Sequence, residues 1–268
     1  MPNDHGREST PDLLLVAAVA FELRPFARRL GVEAPDSEPT HEPVGNRRVA
    51  LLSAGMGRPA DDRFAAALRD LRPAAVINVG IAGALDMAHP AGSTWVIEAW
   101  RHPHHPHEPA ARPDTALSAN VGEALTETGI TWGSAVAVTV DEPLHDADER
   151  DRIREGSGAH LVEMEGAAWA TIAAEHGVPF AAVRVVSDHA DRPLPGPRPE
   201  GGRRAWLLRD DGTTRKGRLL LALMASTAWL RPRHHARELK AAGAQFREAV
   251  EALDAVARAL LVEHSASQ

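Results

Sequence analysis

Regular patterning begins at "DLLLVAAVA" (Asp12–Ala20), a short and nearly unbroken apolar run. That pattern belongs to a strand buried on both faces, because a half-exposed strand alternates apolar with polar residues. "FELRPFARRLG" follows as a helix closed by Gly31, with Pro25 best accommodated near its first turn. Residues 32–46 are rich in prolines and acids and read as a loop. Strand and helix signals then alternate. "RRVALLSAG" is a strand, "RPADDRFAAALRDL" a helix, and "AAVINVGIAGAL" and "GSTWVIEAW" are strands. "TALSANVGEALTETG" is a helix, "GSAVAVTV" a strand, and "ERDRIREGSG" a short helix. "VEMEGAAWATIAAEHG" is a strand end running into a helix, and "FAAVRVVSD" (Phe180–Asp188) closes the set. This alternation predicts an α/β fold around a largely parallel or mixed sheet. In such sheets ligands bind beyond the carboxyl ends of the strands.

The two ends of the chain read differently. Residues 1–11 form a polar tail, and residues 193–204 a linker of Pro, Gly and Arg. Beyond the linker, "RKGRLLLALMASTAWL" and "HHARELKAAGAQFREAVEALDAVARALLVEH" read as two helices. The second carries an apolar stripe at helical spacing: Leu239, Ala242, Phe246, Val250, Leu253, Val256 and Leu260. The expectation is a main unit over residues 12–192, with residues 193–268 as a linker and helical extension packed on it.

Composition narrows the class. The chain has 268 residues, 44% hydrophobic and 25% charged, with a net charge of −7. That is a globular profile, and the negative balance argues against a nucleic-acid partner. With no Cys there is no disulfide, no thiolate metal site and no Cys nucleophile. No apolar run reaches the roughly 18 residues a membrane helix needs, and the first residues do not resemble a signal peptide. A cytoplasmic protein is expected.

Three segments concentrate chemistry. "NVGIAGAL" (Asn78–Leu85) is a strand entering a small-residue turn, where Gly80 and Gly83 let a partner approach the backbone. "VEMEGAAWA" (Val162–Ala170) sets Glu163 and Glu165 about Met164 at a strand-to-helix junction. Acids complementing the helix dipole are an equally good account of that pair. "VRVVSDHADRP" (Val183–Pro193) drives an apolar strand to Ser187 and Asp188. Capping of a following helix is the plainer explanation, but "HADRPLPGPRP" is a poor helix.

Taken with "AAVAFEL" and "SAGMGRPADD", these motifs resemble the purine nucleoside phosphorylase superfamily over residues 12–191. Within it the chain is similar to the 5′-methylthioadenosine/S-adenosylhomocysteine nucleosidase branch. The extension after residue 195 and the stretch from "VDEPL" to "VEMEGAAWA" also resemble a branch associated with hopanoid biosynthesis. Futalosine-type nucleosidases are a further candidate. The resemblance implies a three-layer sandwich whose central mixed, partly barrel-like sheet is flanked by helices, with residues 12–192 as the catalytic domain. It implies hydrolysis of the N-glycosidic bond of a 5′-substituted adenine nucleoside, without a cofactor or a metal. The alternatives are phosphorolysis of a purine nucleoside and a non-catalytic nucleoside-binding module.

The same resemblance assigns roles. Asp188 would protonate N7 of the leaving purine, supported by Ser187 and Arg184. Glu165 would hold the ribose hydroxyls, with Glu163 beside it and Met164 on the sugar face. Glu22 would activate the attacking water. Leu144 of "VDEPL" would touch the base, and the backbone at Ala82 and Gly83 would line ribose and base. With no Tyr in the chain, Phe21, Phe180 or a Trp would have to supply any stacking ring. Phosphorylases of the superfamily typically place Arg and Ser where this chain has Asn78 and Ile81, which favours water; Arg58 keeps the phosphate option open. The resemblance also implies a homodimer. Residues Leu219–Leu230 would line a subunit contact or, in the second reading, a lipid tail or membrane surface. "RHPHHPHEP" (Arg101–Pro109) offers His104, His105, His107 and Glu108 as ligand types, but its prolines predict a surface or lid loop, not a metal site.

Overall fold

Alternate residues of the first strand, β1 (Leu13–Ala17), enter two different cores. Leu13, Leu15 and Ala17 face one, Leu14 and Val16 the other, and this is why the run is apolar throughout. The structure, a computed structural model, describes residues 10–35, 38–44, 46–56, 58–103, 105–144, 146–191 and 232–261; at 58, 105–108 and 232–242 it describes the backbone alone. Residues 1–9 of the expected 1–11 tail, the 193–204 linker and the 215–230 helix lie outside those residues.

The remaining strands are β2 (Thr40–Val44), β3 (Arg47–Ser53), β4 (Val76–Ala84), β5 (Thr94–His102), β6 (His105–Ala111), β7 (Trp132–Thr139), β8 (Leu161–Glu163) and β9 (Phe180–Asp188). The helices are α1 (Ala20–Leu30), α2 (Arg58–Leu71), α3 (Thr115–Glu127), α4 (Ala147–Ser157), α5 (Gly166–Glu175) and α6 (Pro232–Leu261). Five strands close on themselves: β4 pairs with β8, β8 with β7, β7 with β5, β5 with β9, and β9 with β4. β1, β3 and β2 extend the sheet from β4, and β6 extends it from β5. Parallel pairs (β1–β3, β1–β4, β4–β9) and antiparallel pairs (β4–β8, β5–β9) make the sheet mixed. α1, α3 and α6 contribute to the core on one face, α2 and α5 to the core on the other. The result is the three-layer α/β sandwich with a barrel-like centre.

Two segments expected as loops are strands. β2 pairs antiparallel with β3, and β6 with β5. Both carry prolines, which lack the donor a central strand needs. Both lie at the ends of the strand order, where that loss costs little. α1 starts at Ala20, so Pro25 sits inside the helix rather than in its first turn. Gly31 ends it in the left-handed region at φ 74°, as expected.

α6 lies against α1 through a turned face. Ala249, Leu253, Val256, Ala257 and Leu260 enter the core, whereas Val250 is 39% exposed. Phe246 meets Phe21 with ring centroids 5.5 Å apart. Asp254 accepts from Arg28 at 2.5 Å and Arg29 at 2.6 Å, at the end of α1. Leu239 and Ala242 lie where side chains are not described.

Leu253→Ala, at a side chain 1% exposed, should destabilise the protein by about 2–5 kcal/mol in denaturant unfolding. Val250→Ala should cost no more than about 0.5 kcal/mol. Equal effects would mean that α6 does not pack through this face.

Candidate active site

The carboxyl ends of β4 and β9 lie side by side, with Ala82 opposite Val186 and Gly83 opposite Asp188 across a register shift. β8 runs antiparallel beside β4 and ends at Glu163. α1 begins directly after β1, which pairs with β4, so Glu22 in its first turn reaches the same place.

Glu22 is buried between two backbone donors. Its Oε2 accepts from the N–H of Val19 at 3.1 Å, and its Oε1 accepts from the N–H of Ile81 at 2.9 Å. The first bond caps α1, satisfying an amide with no partner inside the helix. Burial raises the Glu22 pKa above the usual carboxylate value; the amides of Ile81 and Val19 and the charge of Arg184 oppose the rise. Glu22 comes this close because residue 80 is glycine. A Cβ on Gly80 would stand 2.7 Å from Oε1.

Glu163 is held by four donors of the protein. It accepts from Arg184 at 2.9 Å, from the N–H groups of Glu165 at 3.2 Å and Gly166 at 2.7 Å, and from the Thr139 hydroxyl. Three of these donors meet Oε2, and the Thr139 hydroxyl meets Oε1. Thr139 Oγ1 in turn accepts from Ala167 N–H at 3.1 Å, so three amides at the start of α5 are satisfied. This acid holds the start of α5, in keeping with the dipole account.

Glu165 is the opposite case. Its Oε1 is buried and has no hydrogen-bond partner among the described residues. Burial, then the neighbouring charges of Glu163 and Glu22, raise its pKa well above the usual value, and Arg184 opposes them. Met164 beside it is half-buried.

Arg184, expected to support Asp188, stands elsewhere. Besides Glu163 it donates to the backbone oxygens of Asn78 at 3.1 Å and Val183 at 3.2 Å, and to the Asn78 side-chain oxygen. Asn78 donates its amide to Val16 O at 3.0 Å. The arginine on Asp188 is Arg150, from α4, which the sequence reading missed. Arg150 is 4% exposed and ion-paired with Oδ2 of Asp188, itself 2% exposed. Ser187 lies beside Asp188: its hydroxyl is against Oδ1 and, at 3.1 Å, against Ala82 O. Arg150 lies over Gly83, where a Cβ would be 2.9 Å from Nη2. Close approach at Gly80 and Gly83 is thus made by this chain's own side chains, whereas the sequence suggested a ligand. One signal was available: Arg150 is a cation in the first turn of α4, where the helix dipole favours acids.

The Leu144 side chain is buried with Leu85, Val136, Val138 and Val162, and its carbonyl accepts from Arg150. Phe180 packs in the core near Phe64 and Trp100, and Phe21 is against Phe246, so neither is a free stacking ring. The His-rich segment forms β6, whose His105, His107 and Glu108 side chains, with His104, are outside description. Among the described residues no group of three or more His, Asp or Glu could hold a metal. A groove of about 500 Å³ at the β2–β3 edge, lined by His41, Arg48 and Asp70, contains none of the site residues.

Residues 12–204 match the Phosphorylase superfamily, and the chain belongs to that family. It is 32% identical over 165 residues to a 5′-methylthioadenosine/S-adenosylhomocysteine nucleosidase of Glaesserella parasuis, covering 56% of this chain and 71% of the relative. Its fold is that of the Helicobacter pylori nucleosidase of the same name solved with butyl-thio-DADMe-Immucillin-A, at TM-score 0.63 and 16% identity, over 94% of this chain and 96% of that one. Futalosine hydrolase of Helicobacter pylori superposes at TM-score 0.59 and 21% identity, over 67% and 85% of the two chains.

The raised pKa of Glu165 has a sign. Folded protein retains a proton that the unfolded chain has released above about pH 4.5, so this contribution is full below that value and is lost as pH rises through the folded pKa. Glu165→Gln removes the dependence. The Tm of the variant minus that of the wild type should grow as pH rises above about 4.5. A constant difference would mean that the acid is not buried as a charge-averse group.

Proposed function

We propose that this chain is a nucleosidase that hydrolyses the N-glycosidic bond of a 5′-substituted adenine nucleoside and releases the base. The observation that carries the reading is the seating of Glu22. Its carboxylate occupies the amides of Ile81 and Val19 at the strand end, and a second anion such as phosphate would meet that charge. Asn78, which stands where superfamily phosphorylases place an arginine, is engaged by Val16 and Arg184.

The chemistry follows from the charges. Cleavage passes through an electron-poor ribose, and the purine leaves poorly as an anion. Asp188 donates a proton to N7. Glu165, through its unpartnered Oε1, accepts hydrogen bonds from the ribose hydroxyls. Glu22 takes the proton from the attacking water; its raised pKa moves it toward the range in which a general base works at neutral pH. Met164 packs on the sugar, and the backbone at Ala82 and Gly83 borders the pocket. Residues 12–192 form the catalytic unit and residues 193–268 its extension. The protein is proposed to be cytoplasmic and homodimeric; light scattering giving a monomer at micromolar concentration would count against the dimer. Among the described residues no helix is long and apolar enough to cross a membrane.

The test is base release from methylthioadenosine, S-adenosylhomocysteine, adenosine and futalosine. At least one should yield free base. Asp188→Asn should lower kcat on that substrate by about 100- to 10,000-fold, the usual worth of a general acid. Turnover at the wild-type rate would make Asp188 a structural carboxylate. Release from none of these nucleosides, with a nucleoside analogue still bound, would favour a binding module.

A further inference from the structure

Arg150 is a buried cation with no spare donor. Its Nε donates to Leu144 O at 3.3 Å, and Nη1 donates to Ala84 O at 3.0 Å and His189 O at 3.3 Å. Nη2 donates to Leu144 O at 3.0 Å and to Oδ2 of Asp188. These are all five N–H groups of a guanidinium. Arg150 therefore reaches only protein: the segment before α4, the end of β4, the residue after β9, and the acid.

An arginine does not release its proton in a protein. Oδ2 of Asp188 consequently always faces a cationic donor, which hydrogen-bonds best to an oxygen that carries no proton. Oδ1 faces the Ser187 hydroxyl, which has one hydrogen and two acceptors in reach, Oδ1 and Ala82 O. The hydroxyl can turn from one to the other.

We propose that Arg150 is a positioning residue that confines the acidic proton of Asp188 to Oδ1, with Ser187 as the rotor that follows it. This rests on the reading of Asp188 as the proton donor. When Oδ1 is protonated, Ser187 donates to Ala82 O. On transfer, the Oδ1–H bond breaks and its proton forms the N–H bond at N7, leaving the electron pair on Oδ1. Ser187 then turns its hydrogen to Oδ1, and Arg150 stabilises the carboxylate on Oδ2. Because Arg150 also holds Leu144 O, the segment before α4 and the acid keep one spacing.

The experiment compares Arg150→Met, Arg150→Lys and Ser187→Ala on an adenine nucleoside and on a nitrophenyl riboside, whose leaving group needs no proton. Thermal unfolding confirms that each variant folds. Arg150→Met should lower kcat on the adenine nucleoside by about 10- to 1,000-fold, within what a general acid contributes, while staying within a few-fold of wild type on the nitrophenyl riboside. Arg150→Lys should recover part of the loss. In an Asp188→Asn background, Arg150→Met should add almost nothing, as expected of groups acting as a unit. Should Arg150→Met fail to fold, Ser187→Ala carries the test, with the same selective loss. Equal losses on both substrates, or losses that multiply with Asp188→Asn, would overturn the proposal and leave Arg150 a structural residue. A wild type that releases no base at all would instead overturn the nucleosidase reading beneath it; an active wild type with unselective variants would overturn this proposal alone.

Discussion

Three buried carboxylates, and a fourth whose Oε1 is buried, lie at one end of the barrel, and among the described residues two buried guanidiniums face them. Each ion removed from water carries a penalty of several kcal/mol unless it is paired and hydrogen-bonded. The site resolves this by division. Glu163 with Arg184 and Asp188 with Arg150 are ion pairs. Glu22 is held by two amides, and Glu165 by none of the described donors at Oε1. The unpaired acids are the two whose protonation burial favours. One cluster therefore contains two acids each paired with a guanidinium and two held without a cation.

The fold carries this cluster through three local devices. β4 supplies Gly80 and Gly83, and the space their missing Cβ atoms leave is filled by Glu22 and Arg150. α1 starts at the end of β1, so its cap and its catalytic candidate are one residue. α5 starts at the end of β8, where Glu163 satisfies the helix amides and so sets the backbone on which Glu165 sits. In each case a helix terminus that had to be satisfied positions an acid.

Most of the fold was legible because both periodicities were clean. β9 and α2 fall on the residues their apolar patterns predicted. β2 and β6 were not legible, because prolines mask edge strands whose identity depends on a tertiary partner. The face of α6 is turned relative to its predicted stripe, leaving Val250 out and Ala249 and Ala257 in, since small residues give little periodic signal. Within the site, the acids stood out as charges interrupting apolar runs. Their partners did not. Arg150 lies 38 residues before Asp188, and only the meeting of α4 with the ends of β4 and β9 brings the two together. The exchange of Arg184 for Arg150 as the arginine on Asp188 is a contact between distant segments, which spacing along the chain cannot report.

The central claim is that the carboxylate seated on the Ile81 and Val19 amides leaves room for water as the nucleophile and excludes phosphate. Its most direct test is turnover of an accepted adenine nucleoside in heavy-oxygen water with excess inorganic phosphate, the sugar product being analysed by mass spectrometry. The account predicts free sugar carrying one heavy oxygen at its anomeric carbon, at a rate independent of phosphate. Sugar 1-phosphate as the product would contradict it.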